Sequence, residues 1–159
     1  AEQSYLADWA YKIFAGQDYG LEWASGDWQV LLWEGEELAS MVEIVERTGK
    51  VGEQPVKLAG VGGVATWPDF RRRGLATAAM RKAMEFISAQ LDAEFGLLVC
   101  DKEKIPFYGL LGWQVVEESL LVIEQPGGKM EFPSTIMVWP CHEGKEWPAG
   151  KIDLCGPPW

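Results

Sequence analysis

At residues 64–76, VATWPDFRRRGLA, the apolar period of the chain changes. Upstream, apolar residues come in short alternating runs separated by turn residues, the pattern of strands. Downstream, Leu75, Ala79, Met80, Ala83, Met84, Ile87 and Leu91 follow a helical stripe. Between the two stand Pro68, three consecutive arginines and Gly74. A strand that ends in a short Arg/Gly turn and opens a helix confines the chain to an α/β or α+β fold class. The same layout builds an anion site.

The first turn of such a helix leaves main-chain N–H groups without partners, and the helix dipole adds partial positive charge there. Gly74 lets the backbone bend and approach a ligand closely. Ala76 adds no bulk, and Arg71, Arg72 and Arg73 offer forked donors suited to phosphate oxygens. The turn therefore predicts a phosphate or pyrophosphate on the N–H groups of residues 72–76. The alternative is a solvated basic turn paired with acidic neighbours. Two other phosphate signatures fail. GVGGVA at 60–65 has the spacing of a dinucleotide fingerprint, but it runs into Thr66, Trp67 and Pro68 instead of opening a helix. No GxxxxGKS or GxxxxGKT segment occurs.

Ser4 is placed to cap a helix running to about Phe14, with Tyr5, Trp9 and Ile13 on one face. Residues 16–26 are turn-rich, with room for a short helix around Leu21 to Trp23. WQVLLW (28–33), LASMVEIVER (38–47) and VKLAGVGGVATW (56–67) read as an antiparallel meander, with turns at 34–36 and 48–54. FGLLVC (95–100) is a wholly apolar run and reads as a buried strand. Pro106 suits the first turn of a helix reaching about Leu111, closed by Gly112. WQVV, LLVIE and TIMVW supply the last strands, and a Gly- and Pro-rich tail starts at Pro140. With no repeat and no linker, residues 1–159 are expected to form one domain.

A hydrophobic content of 48% supports a real core, and nine tryptophans point to large aromatics in it or to an aromatic-lined groove. The net charge of −10, from 14 basic and 24 acidic residues, argues against nucleic acid as a partner, because phosphate backbones need a broad basic face. It suits a cationic substrate, and it equally suits plain solubility. Cys100, Cys141 and Cys155 have no metal-ligand spacing, so no metal is expected and a reduced, cytoplasmic protein is the default. No apolar run reaches the ~18 residues of a membrane span, and no signal peptide is visible.

VATWPDFRRRGLATAAM resembles motif A of the GNAT acetyltransferases, and PFYGLLGW (106–113) is similar to the FYxxxGF segment of that superfamily. The two pieces have the family's order, with a helix and a strand between them. The resemblance implies a mixed, mainly antiparallel sheet of about seven strands, splayed between strands 4 and 5 and flanked by helices. It implies acetyl-CoA as co-substrate, with the pyrophosphate on Arg71, Arg72, Arg73, Gly74, Leu75 and Ala76 and the pantetheine arm along Val64, Ala65 and Thr66. It implies direct acetyl transfer to a primary amine, with Tyr108 as the acid at the departing thiolate. Gly60, Gly62 and Gly63 weaken their strand unless something approaches its backbone, and an entering cofactor or substrate would do so. A β-bulge is the other reading.

Many relatives carry a carboxylate base on the central strand, and this chain has none between Lys57 and Thr66. Glu43 and Glu46, on the neighbouring strand, are the substitutes, with the polar face of a half-exposed strand as the alternative. His142 stands alone and lacks an orienting partner in the sequence. FAGQDYGLEWASGDWQVLLWEGEELASMVEIVER and the final LCGPPW are similar, more loosely, to aminoglycoside 2′-N-acetyltransferases. That likeness implies Trp159 in the acceptor pocket, as an indole wall and an anionic end, and Asp18 as an ammonium ligand. Gly62 and Pro157 stand where those relatives have a glutamate and an aspartate. The expected acceptor is a small cationic amine, aminoglycoside-like. A non-catalytic acyl-CoA-binding or sensing protein and a protein N-acetyltransferase stay open, as does the oligomeric state, a homodimer included.

Overall fold

The structure, a computed structural model, describes residues 2–14, 19–117 and 119–159. Helix α1 (Glu2–Phe14) precedes three strands, β1 (Trp28–Glu34), β2 (Glu37–Val51) and β3 (Gln54–Thr66), paired as an antiparallel meander. The period change then takes effect: α2 (Leu75–Gln90) crosses over to β4 (Phe95–Cys100), which lies parallel to β3. The chain continues through α3 (Ile105–Gly109), β5 (Gln114–Val115), β6 (Leu121–Gln125), β7 (Gly128–Glu131), β8 (Thr135–Pro140) and β9 (Ile152–Asp153). The sheet order is β5-β8-β4-β3-β2-β9-β6-β7, with β1 beside β2. This is the mixed, mainly antiparallel α/β architecture expected.

Strand alternation sorts the core onto two faces. On one, Val42 and Ile44 of β2 and Ala59 and Val61 of β3 meet Ala79, Met80, Ala83 and Ile87, the inward stripe of α2. On the other, Val45 and Leu58 pack with Leu97, Leu121, Ile123, Ile152 and Trp159. Leu6 and Trp9 of α1 cover Leu38, Met41 and Ala65, and the Trp9 indole donates to the Leu38 carbonyl at 3.0 Å. Burying such side chains stabilises by roughly 1.5–3 kcal/mol each.

Several expectations are corrected. Among the described residues the sheet has nine strands, because 128–131 turns back on β6 and 152–153 slots between β2 and β6. The strands that part are β3 and β4, because two strands and not three precede the motif strand. Ser4 lies inside α1 and not ahead of it, a position serine tolerates at small cost. Residues 19–27 contain no helix. Their main chain is held by the Gln125 amide, which bonds both the N–H and the carbonyl of Glu22, at 2.8 and 2.9 Å. The polar stretch 48–54 is mostly strand: β2 and β3 continue to a tight turn at Gly52, whose φ is 58°. A glycine there satisfies the left-handed backbone that a short hairpin needs.

Candidate active site

β3 and β4 pair at three positions only, Leu58↔Phe95, Ala59↔Gly96 and Gly60↔Leu97. Both strands run on, to Thr66 and to Cys100, so they diverge into a V. The cause is local. Met41 pairs with Ala65 and Glu43 with Gly62, so β3 holds one residue more than β2 between those pairs. Gly63 takes a φ of 56°, the left-handed glycine of a β-bulge, which bends the strand. The beginning of the next turn is fixed by side chains. The Ser40 hydroxyl donates to the Ala65 carbonyl at 2.9 Å and lies 3.0 Å from the Thr66 hydroxyl, and the Arg71 Nε donates to the Thr66 carbonyl at 3.1 Å.

Beyond a 3₁₀ turn (Pro68–Phe70), Arg72 and Gly74 both adopt left-handed backbone, with φ of 61° and 76°. Gly74 caps α2 with no side-chain bond, and its carbonyl accepts from the Ala78 N–H at 3.0 Å. Among the described residues none accepts a hydrogen bond from the N–H groups of residues 72–77. These donors open onto a cleft of about 640 Å³. Val64, Ala65, Thr66, Arg71, Arg72, Gly74, Leu75 and Ala76 line it on one side, and Phe107 and Tyr108 on the other. Arg73 is the exception: it faces Glu34 at 3.4 Å and covers the Phe70 ring at 5.6 Å, leaving only its main chain at the turn.

Tyr108 is brought to the cleft by α3, which starts with Pro106 in its first turn. Its ring stands edge-on to Phe107 at 4.9 Å. Burial, and then the neighbouring Cys100 thiol, pushes its pKa up to about 12. The hydroxyl therefore carries its proton throughout the neutral range and is available as a donor. Burial likewise raises the Cys100 thiol, with Asp101 adding to it.

Two further expected residues meet at the glycines of β3. A Cβ built on Gly60 would stand 2.1 Å from the Trp159 indole, and one on Gly62 would stand 2.6 Å from the Trp159 carbonyl carbon. A Cβ on Gly63 would stand 3.0 Å from the Glu43 carboxylate. The bulge reading holds at Gly63. At Gly60 and Gly62 the close approach expected of a cofactor or substrate is made instead by Trp159. Gln29 donates to Glu43 at 3.0 Å. Glu46 is engaged on the far side of the hairpin, accepting from the Trp28 indole at 3.1 Å. His142 is exposed and outside the lining of the cleft. Asp18 lies outside the described residues.

Sequence reasoning missed Ser40, Phe107, Glu103 and Lys104, of which the last three line the cleft. Ser40 carried a signal, as a lone small hydroxyl inside an apolar strand. Glu103 and Lys104 carried none, being ordinary surface charges until the fold places them.

The sequence matches the family model described as an acetyltransferase (GNAT) domain over residues 16–116. The chain belongs to the GNAT acetyltransferase family. No curated protein matches it significantly. Similar solved structures include Escherichia coli ElaA, at 20% identity and a TM-score of 0.60, with 87% of this chain and 90% of that one covered. Another is the E. coli GNAT family N-acetyltransferase YhbS in complex with CoA, at 14% identity and a TM-score of 0.59, covering 87% and 70%. Eis1 from Mycobacterium abscessus is 18% identical with a TM-score of 0.59, covering 72% of this chain and 29% of its own. At these identities the likeness is one of fold. The chain spans 20% of the length of a GCN5-related N-acetyltransferase from Kribbella flavida that it also matches. Among the described residues no helix is long and apolar enough to cross a membrane.

Proposed function

We propose that residues 1–159 act as one acetyl-CoA-dependent unit that passes an acetyl group directly to a primary amine of a small cationic acceptor. The observation that carries this reading is the convergence, in one cleft, of unpartnered amides at an Arg/Gly helix start with a proton-bearing tyrosine. A diphosphate fits those amides, with Arg71 and Arg72 beside them. Each charge-assisted hydrogen bond there would contribute roughly 1.5–3 kcal/mol. Past Gly60 the β4-facing edge of β3 is unpaired, so Val64 and Thr66, on either side of Ala65, offer main-chain groups to an extended, amide-bearing arm. When bound, acetyl-CoA supplies the thioester carbonyl that an amine attacks as the thiolate leaves.

Tyr108 donates a hydrogen bond to that thiolate. With its pKa at about 12, above the ~8.5 of a free thiol, it stabilises the leaving group without surrendering its proton outright. The proton that ends on sulfur comes from the amine. On the acceptor side, the Glu43 carboxylate stands beside the bulge, and a carboxylate suits an ammonium group. The Trp159 indole, buried and covered by the Arg47 guanidinium, offers that group no open face. Three unpaired cysteines fit a cytoplasmic protein.

The test is thiol release from acetyl-CoA across a panel of amines that includes spermidine and kanamycin. Release stimulated by cationic primary amines is the expected result. CoA binding with no amine-stimulated release would move the reading to a non-catalytic acyl-CoA binder, and no binding at millimolar CoA would end both.

A further inference from the structure

The last six residues form a built element, and nothing in the reaction described so far requires it. Cys155 takes a left-handed backbone with φ of 53°, stabilised by a 2.8 Å bond from its N–H to the Asp153 carboxylate. That kink turns the tail back across the sheet. The Gly156 carbonyl then accepts from the Glu124 N–H at 2.9 Å, and the Pro158 carbonyl from the Ala24 N–H at 2.7 Å. Arg47, on β2, donates to the Pro157 carbonyl at 2.6 Å and lies over the Trp159 ring at 5.0 Å. A Cβ on Gly156 would come within 2.8 Å of the guanidinium, so the glycine is what lets Arg47 close on the tail.

All of this delivers one side chain to one place. The buried Trp159 indole donates to the Leu97 carbonyl at 3.0 Å. Leu97 holds the last register position at which β4 pairs with β3, and its partner there is Gly60. Gly60 is the residue whose missing side chain makes room for the indole. The ring therefore touches both strands at the apex of the V.

Resting on the acetyl-CoA reading, we propose that Trp159 is an apex wedge, that Arg47 is its positioning residue, and that together they fix where β3 and β4 separate. They thereby fix the slot for the pantetheine arm along residues 64–66. The wedge acts on the arm and not on the diphosphate, because the amides of 72–77 belong to a separate turn. That separation gives a readout that a general loss of stability cannot imitate.

The experiment compares two ligands by calorimetric titration of the whole chain: CoA, and 3′-phosphoadenosine 5′-diphosphate, which keeps the phosphates and lacks the arm. The variants are Arg47→Ala, Arg47→Lys, Trp159→Ala and the mild Trp159→Phe, which keeps a ring and removes the indole N–H. Expected for Arg47→Ala and Trp159→Ala is a loss of about tenfold in CoA affinity, the size of one lost hydrogen bond, with 3′-phosphoadenosine 5′-diphosphate unchanged. Arg47→Lys and Trp159→Phe should lose a few-fold for CoA alone. Trp159→Phe should also remove one slowly exchanging indole N–H resonance. CoA affinity unchanged in folded Trp159→Phe and Arg47→Lys would overturn the inference, and so would an equal loss for both ligands in those two variants. If the unaltered chain binds neither ligand, the acetyl-CoA reading itself has failed.

Discussion

One wall of the cleft, residues 64–77, is a single run of chain that presents main-chain donors around Gly74. The apex and the proposed acceptor side are assembled from Glu43, Arg47, Gly60 and Trp159, which come from both halves of the sequence. The two differ in what they tolerate. A site made of amides survives changes of side chain as long as the backbone keeps its course. A site made of interlocked side chains depends on each of them, and neighbours in contact do not act additively. Cofactor affinity should therefore be robust to substitution along 71–76, and the acceptor side should be fragile.

The sharpest attempt to break this contrast is Gly60→Ala. The added methyl would overlap the indole, and expelling a buried tryptophan should cost about 3 kcal/mol, read as a lowered denaturation midpoint. If stability is unchanged, the two sides do not differ as described. Tyr108→Phe comes next. Turnover should fall about a hundredfold for loss of a catalytic donor, with CoA affinity held within a factor of about two, as measured by calorimetry.

A third measurement follows Tyr108 through its ionisation. Its pKa stands at about 12 in the folded protein, against about 10 when free. Above pH 10 the unfolded chain loses a proton that the native chain keeps, so stability falls as pH rises towards 12. Cys141, pushed by burial to about 12 from a thiol's ordinary value, acts with the same sign from about pH 9. The melting temperature of the unaltered chain should fall relative to that of Tyr108→Phe as pH rises from 9 to 11. A constant difference would mean that Tyr108 titrates as it does in water.

The smallest effects belong to the arginines. Arg72→Gly removes a left-handed strain of about 1 kcal/mol and restores backbone entropy of similar size to the unfolded chain, so the melting temperature should hardly move while CoA binding weakens a few-fold. Arg73→Ala, whose side chain faces Glu34 on the surface, should change stability by less than about 0.5 kcal/mol. It should also leave CoA affinity intact. A large loss there would show that the side chain swings back to the phosphates.

The same contrast governs what could be read from the sequence. The turn at 71–76, the α2 stripe and Tyr108 behind Pro106 were legible because their causes lie within a few residues of one another. Arg47 was not, because its partner carbonyl on Pro157 is brought near only by β9 and the tail. The segment 19–27 was misread for a related reason: a remote glutamine bonds its backbone and leaves no need for a helix. Gly60 and Gly62 announced a close approach correctly, but nothing local could say that Trp159 would make it.

Gly63 carries one more consequence. Because β3 holds a supernumerary residue there, Val61 and Val64 look towards α2 although they are three positions apart, an odd spacing that a regular strand does not permit. Removing Gly63 would straighten the strand and also rotate everything after it by half a pleat, sending Val64 towards α1 and Ala65 towards α2. Along this stretch the protein should accept many exchanges of letter, but not a change in their number.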